Sequence, residues 1–297
     1  MPSIDSSGVR IHYETAGDGY PVVFLHELCA DWRFWEDQMR FFARDYRCVA
    51  YNARGYPPSD VPAADADYAW ERQVDDLVAV MDGLGIARAH LVGLSMGSYT
   101  ALQFALRAPQ RVSALVFTSG GSGSVPPGAP MQTADMQARA DAVARDGMKQ
   151  AAPLMAAGPT RVQLLNKDPI GGGVAMERLA EHSTEGTART MRNFQALRPS
   201  LYGFEAELRR LDVPALLVVG DEDDPVIDLN LFLKRTMPRA GLWILPRTGH
   251  PVNLEEPGEY NRGLATFFAQ VERGGWGPRD PRAAPGGAAI RVPGIKD

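Results

Sequence analysis

Residues 89–106 constrain the fold of this chain more than any other stretch. An apolar run, Ala89-His90-Leu91-Val92, leads directly into Gly93-Leu94-Ser95-Met96-Gly97, and helical spacing follows through Leu102, Phe104 and Leu106. Gly-x-Ser-x-Gly between a strand and a helix forms a sharp turn with the serine at its apex. Small residues on either side let the backbone close around that serine. Its hydroxyl then stands at the carboxyl end of the strand, where the helix N-terminus offers backbone N–H groups and positive dipole. The plainer alternative is a glycine-rich turn whose serine only caps a helix. The strand before the motif and the helix after it weigh against that. Ser95 is therefore a candidate nucleophile.

The surrounding sequence supplies a sheet for such a turn. Strand-like runs occur at 9–13, 21–25, 47–51, 91–94, 113–118, 214–220 and 241–245. Helical spacing occurs at 32–43, 70–84, 228–236 and 257–271. This alternation predicts an α/β fold, a mostly parallel sheet with helices on both faces. The rhythm stops after Ser119. A Gly/Ser/Pro stretch is followed by helix candidates at 131–148, 150–157, 176–183 and 187–197, with no strand among them. Crossovers are usually much shorter, so an inserted helical cap is expected rather than long helices lying flat on the sheet. The expected division is a first core part over 1–121, a cap insertion over 122–202, a second core part over 203–273 and an extended or disordered tail over 274–297.

Composition narrows the partners. The 297 residues are 45% hydrophobic and 23% charged, with net charge −5. That suits a soluble globular chain with a large core and favours neither nucleic acid nor an anionic membrane surface. No apolar run approaches spanning length, and the N-terminus has no basic stretch before an apolar one. Cys29 and Cys48 are the two cysteines. They make no CxxC pair, so a cytoplasmic setting is expected. No ligand spacing points to a metal or other cofactor.

A serine nucleophile needs a base. His12 and His90 belong to strand starts or faces, and His182 falls in the helical stretch. His26 and His250 both follow strands at the carboxyl edge, where catalytic groups of open α/β sheets gather. His250 sits on the longer, glycine-containing loop and is the favoured general base. Its orienting carboxylate comes from Asp221-Glu222-Asp223-Asp224, after a buried strand. The order serine, acid, histidine is that of the hydrolases with this elbow.

Taken together, these motifs resemble the α/β-hydrolase superfamily over about residues 9–271, in its capped group of esterases, lactonases and C–C bond hydrolases. His26-Glu27 stands where members carry His-Gly. Asn52-Ala53-Arg54-Gly55-Tyr56-Pro57-Pro58-Ser59 stands for Asp-x-Arg-Gly-x-Gly-x-Ser, and Gly249-His250 precedes Asn253-Leu254-Glu255-Glu256-Pro257. The resemblance places the acid at Asp223, three residues after the glycine ending its strand. It places the oxyanion donors at the backbone N–H groups of Met96 and Leu28. Glu27, Asn52 and Pro57 depart from the pattern. A backbone needing positive φ at Glu27 would be strained. Its side chain is expected either to line the pocket or, preferentially, to hydrogen-bond with Arg54.

The implied activity is hydrolysis of a small-molecule carboxylic ester or lactone through an acyl-enzyme on Ser95. A C–C bond hydrolase of vinylogous diketones is the alternative enzyme. A proline aminopeptidase would want cap acids such as Glu181 and Glu185, which read as a solvated face. A non-catalytic small-molecule receptor on the same fold is the alternative of another class. Cys29, Met131, Met155, Phe194 and Tyr202 join Glu27 as expected pocket residues. Monomer and homodimer are equally compatible with the sequence.

Overall fold

The computed structural model describes residues 1–131 and 133–283. Its centre is an eight-stranded sheet in the order β1-β2-β4-β3-β5-β6-β7-β8. The strands are β1 Ser3–Ser6, β2 Val9–Ala16, β3 Tyr20–Leu25, β4 Tyr46–Tyr51, β5 Ala89–Leu94, β6 Val112–Thr118, β7 Ala215–Gly220 and β8 Ala240–Leu245. β1 and β2 pair antiparallel, β2 pairs antiparallel with β4, and the other pairings are parallel. β1 was not expected; four residues are too few for a periodic signal.

The middle strands are apolar throughout because both faces of the sheet are covered. Their side chains alternate between two cores. Val23, Leu25, Leu91, Leu115 and Leu217 point to one side. There they meet α2 (Trp70–Gly83), α3 (Met96–Arg107) and α10 (Asp224–Thr236) through Leu77, Leu102 and Leu233. Val22, Phe24, Val92, Val116 and Val218 point to the other. They pack on α1 (Glu36–Phe42) and α12 (Pro257–Glu272) through Met39, Leu264 and Phe268.

Between β6 and β7 the chain forms α4 Thr133–Asp146, α5 Met148–Ala156, α6 Val162–Lys167, α7 Pro169–Glu181 and α8 Thr184–Arg189, then a π-helical stretch, Thr190–Gln195. α9 (Glu205–Arg210) leads back to β7, and α11 (Val252–Glu255) lies between β8 and α12. The helical segment has its own core: Val143, Met148, Leu164, Leu179 and Met191 pack with Cys29, Ala30 and Phe34 from the loop after β3.

Several helix bounds differ from expectation for identifiable reasons. Gly147 has φ +80° and separates α4 from α5, so no helix runs on to Met148. α7 begins at Pro169, not at 176. Asp168 caps it, accepting from Gly171 N at 2.9 Å, and this cap outweighs three consecutive glycines. α6 has six residues, too short for periodicity to reveal. Of the stretch 274–297, residues 284–297 lie outside the described residues. The preceding part is docked on the core: Trp276 Nε1 donates to Arg239 O at 2.8 Å, and its ring packs edge-on against Phe267. Among the described residues no helix is long and apolar enough to cross a membrane.

Arg54 does not reach Glu27. It forks onto Asp76 of α2, Nε–Oδ2 2.7 Å and Nη2–Oδ1 2.6 Å, with both side chains buried. This pair ties the loop after β4 to the helix beneath it. Asp76→Ala leaves the buried guanidinium with only the half-exposed Asp67 carboxylate, 3.9 Å away, as counter-charge, and urea unfolding should show a loss of about 3–5 kcal/mol. A loss below about 1 kcal/mol would class the pair with exposed ones.

Candidate active site

Ser95 sits at the tip of β5 with φ +53° and ψ −107°, a strained backbone that costs about 1–3 kcal/mol. Two glycines make it possible. A Cβ on Gly97 would stand 2.1 Å from Leu25 O, and one on Gly93 would stand 2.4 Å from Ser98 N. No other residue type fits those approaches without moving backbone. Helix α3 starts at Met96, so its first N–H groups point back toward the turn.

The neighbouring strands bring the other groups to the same edge. β7 and β8 pair in register, and the loops after them are stitched together. Glu222 N donates to Thr248 O at 3.0 Å, and Thr248 N donates to Asp221 Oδ1 at 3.2 Å. This leaves Asp223 facing the histidine: His250 Nδ1 lies 2.7 Å from Asp223 Oδ2, and both residues are buried. Of the four acids, Asp223 is thus the one beside the imidazole. Asp221 holds the backbone, and Glu222 accepts from Gln163. Burial alone would depress the His250 pKa. The Asp223 charge, its hydrogen bond and the nearby Glu27 outweigh burial and raise it above the usual imidazole value.

The other histidines are occupied elsewhere. His26 has Nδ1 2.7 Å from Glu27 O, while its Nε2 accepts from Ala53 N at 2.9 Å. With both nitrogens used it holds two loops together and has none left for a serine. Burial pushes its pKa down. His90 stacks on Phe268 and bonds Glu272, His12 bonds Pro2 O, and His182 packs edge-on against Tyr56.

Ser95, Asp223, His250 and Leu28 line one cavity of about 360 Å3. The helical segment closes it with Met131, Met136, Arg139, Arg161 and Gln195. No hydrogen bond joins Ser95 Oγ to the imidazole among the described residues. Such contacts are commonly loose without substrate and tighten when it binds.

Several expected pocket residues lie outside that lining. Phe194 is wholly buried and packs edge-on against Tyr99. Tyr202 packs at a tilt against Phe232, and Met155 is partly buried against the core of the helical segment. Cys29 is buried in that core as well, its thiol pushed up to about 12 by burial. Cys29, not Glu27, carries the positive φ of the loop, +60°. Glu27 therefore has ordinary backbone and no strain.

The buried Glu27 instead forms a fork with the partly buried Arg161, Nη1–Oε1 2.6 Å and Nη2 on Oε2. Arg161, Met136, Arg139 and Gln195 were not foreseen. The spacing of Met136 and Arg139, three apart on one helix face, was the available signal. Arg161 lies after a Gly-Pro turn and gave none. Among the described residues no group of three His, Cys, Asp or Glu is placed to hold a metal.

Comparison with known proteins agrees with this architecture. The sequence model of the alpha/beta hydrolase fold family matches residues 20–257. A 2-hydroxy-6-oxononadienedioate/2-hydroxy-6-oxononatrienedioate hydrolase of Comamonas testosteroni is 30% identical over 278 residues, covering 89% of this chain and 92% of that protein. The solved structure of an N-acyl homoserine lactone degrading enzyme superposes with TM-score 0.73 at 28% identity, covering 90% of this chain and all of that one (100%). The enol-lactonase of Burkholderia xenovorans LB400 shares the fold at TM-score 0.78 and 22% identity, with coverage of 90% and 100%. Strand order, elbow and family match converge, and the chain belongs to the alpha/beta hydrolase fold family.

Proposed function

We propose that this chain is a serine hydrolase of uncharged carboxylic esters or lactones. The observation that carries the choice of substrate is the pairing of charge in the cavity. Both guanidinium groups in its lining have a carboxylate partner: Arg161 has the buried Glu27, and Arg139, on the exposed side, has the exposed Asp135 at 2.9 Å, a weaker pair. The remaining wall includes Leu28, Met131, Met136, Ala196 and Pro225. Among the described residues, such a site offers an anionic substrate no unpaired cation, but it suits an ester with a short apolar arm.

In this reading Ser95 Oγ attacks the carbonyl carbon and its proton passes to His250 Nε2. Asp223 fixes the tautomer and steadies the imidazolium. The N–H groups of Met96 and Leu28 receive the oxyanion. The alcohol leaves with the proton from His250. Water, deprotonated by the same imidazole, then attacks the acyl carbon; the Oγ–acyl bond breaks, and the imidazolium returns the proton to Ser95 Oγ as the acid leaves. Residues 122–202 serve as a cap that shapes the pocket and keeps bulk water out.

A second reading, C–C bond hydrolysis, is favoured by the likeness to the Comamonas dioate hydrolase. It predicts turnover of a dienedioate in preference to esters. A panel of p-nitrophenyl esters from acetyl to decanoyl, simple lactones and a dienedioate separates the two.

Ser95→Ala should reduce ester turnover by a factor on the order of a thousand or more while the fold persists. Ordinary turnover in that purified variant would overturn the mechanism.

The base must be neutral to act, and its pKa is raised, so activity falls with decreasing pH sooner than an unshifted imidazole would allow. The acid limb of kcat/KM should therefore lie above about pH 6.5. Asp223→Asn should move that limb down and lower kcat by a factor on the order of a thousand, with Asp221→Asn and Asp224→Asn far milder. A larger loss in Asp224→Asn would contradict the assignment.

A further inference from the structure

The imidazole of His250 lies between two carboxylates. Asp223 is bonded at Nδ1, and Glu27 Oε2 stands 3.5 Å from Nε2. That is beyond a normal N–H···O bond, yet well within Coulomb range. Both Glu27 oxygens are taken by Arg161. The residue before it, Thr160, accepts a hydrogen bond from His250 N at 2.6 Å. A two-residue stretch of the helical segment therefore binds the backbone of the histidine and the carboxylate facing its ring.

We propose that Glu27 is a positioning residue for His250: its carboxylate, held by Arg161, steadies the imidazolium at Nε2 without taking the bond that Ser95 needs. This rests on the reading of Ser95 as nucleophile and His250 as base.

The physical argument concerns Nε2. In the neutral ring, with its proton on Nδ1 toward Asp223, Nε2 presents a lone pair to a carboxylate, which is unfavourable. Once Nε2 takes the serine proton the contact becomes attractive. The arrangement thus favours the charged ring that acyl transfer creates. Arg161 limits the effect in two ways. Its charge opposes that of Glu27, and its fork fixes the carboxylate short of a direct bond. A freed Glu27 would hydrogen-bond a protonated Nε2 and compete with Ser95.

The other charged groups near this loop are accounted for. Asp221 binds Thr248 N, Glu255 binds Gly249 N, and Lys167 pairs with Glu255 and Glu256. His26 is doubly bonded, and Cys29 keeps its proton because burial raises its pKa. Glu27 and Arg161 are the groups whose removal should move His250 without breaking its bond to Asp223.

The test follows the His250 ring by NMR titration and, separately, the acid limb of ester kcat/KM. Glu27→Gln should lower the His250 pKa by about one unit, and Arg161→Gln should raise it by a similar amount. The acid limbs should follow, with kcat changing more than KM. Arg161→Lys, which keeps the charge, should restore most of the wild-type titration. If Glu27→Gln does not fold, the paired Arg161 variants decide alone. An unmoved titration in either Gln variant, or shifts in the same direction, would overturn the proposal. The titration needs no turnover, so a chain inactive on esters would refute the functional reading and leave this test intact. Ester turnover with unmoved titrations would refute only the role of Glu27.

Discussion

The close approach of Gly97 to the Leu25 carbonyl is the constraint on which the site depends. It presses the first turn of α3 against the end of β3. That contact fixes where Ser95 stands at the sheet edge. It also brings the loop after β3, which carries Glu27 and Leu28, beside the first N–H groups of α3. Parallel pairing extends the same edge through β6 to β7 and β8, whose loops deliver Asp223 and His250. The strained serine is supported by two cores, one on each face of the sheet.

Much of this was legible because it is local or periodic. Apolar runs marked the parallel strands, and the glycines around Ser95 marked the turn. Position after a strand separated His250 from His12, His90 and His182. Carboxyl-edge logic left His26 as a rival, and only its two hydrogen bonds remove it. The register of the acid was not readable from four consecutive candidates; the resemblance supplied Asp223, and the stitched loops after β7 and β8 show why it is the residue beside the ring.

What was not legible depends on contacts between distant parts of the chain. Glu27 and Arg161 are separated by 134 positions, and nothing near either residue announces the other. Arg54 looked available to Glu27, but Asp76 lies in the helix directly beneath it. Apolar type alone did not tell lining from core: Met131 reaches the cavity, while Phe194 is interior and Met155 packs against the core of the helical segment. Their helices present several apolar faces, and tertiary packing decides which one meets the cavity. The Glu27–Arg161 pair matters beyond the fold. It joins the helical segment to the loop after β3 and places a balanced charge beside the imidazole.

The central claim is that Ser95 carries the acyl group during turnover. Intact-protein mass spectrometry of the chain, acid-quenched while hydrolysing a slow p-nitrophenyl ester, tests it most directly. The account predicts one added acyl mass, mapped by peptide digestion to Ser95 and lost with time as water completes the reaction. Hydrolysis with no adduct under these conditions, or an adduct on another residue with Ser95 unmodified, would contradict it.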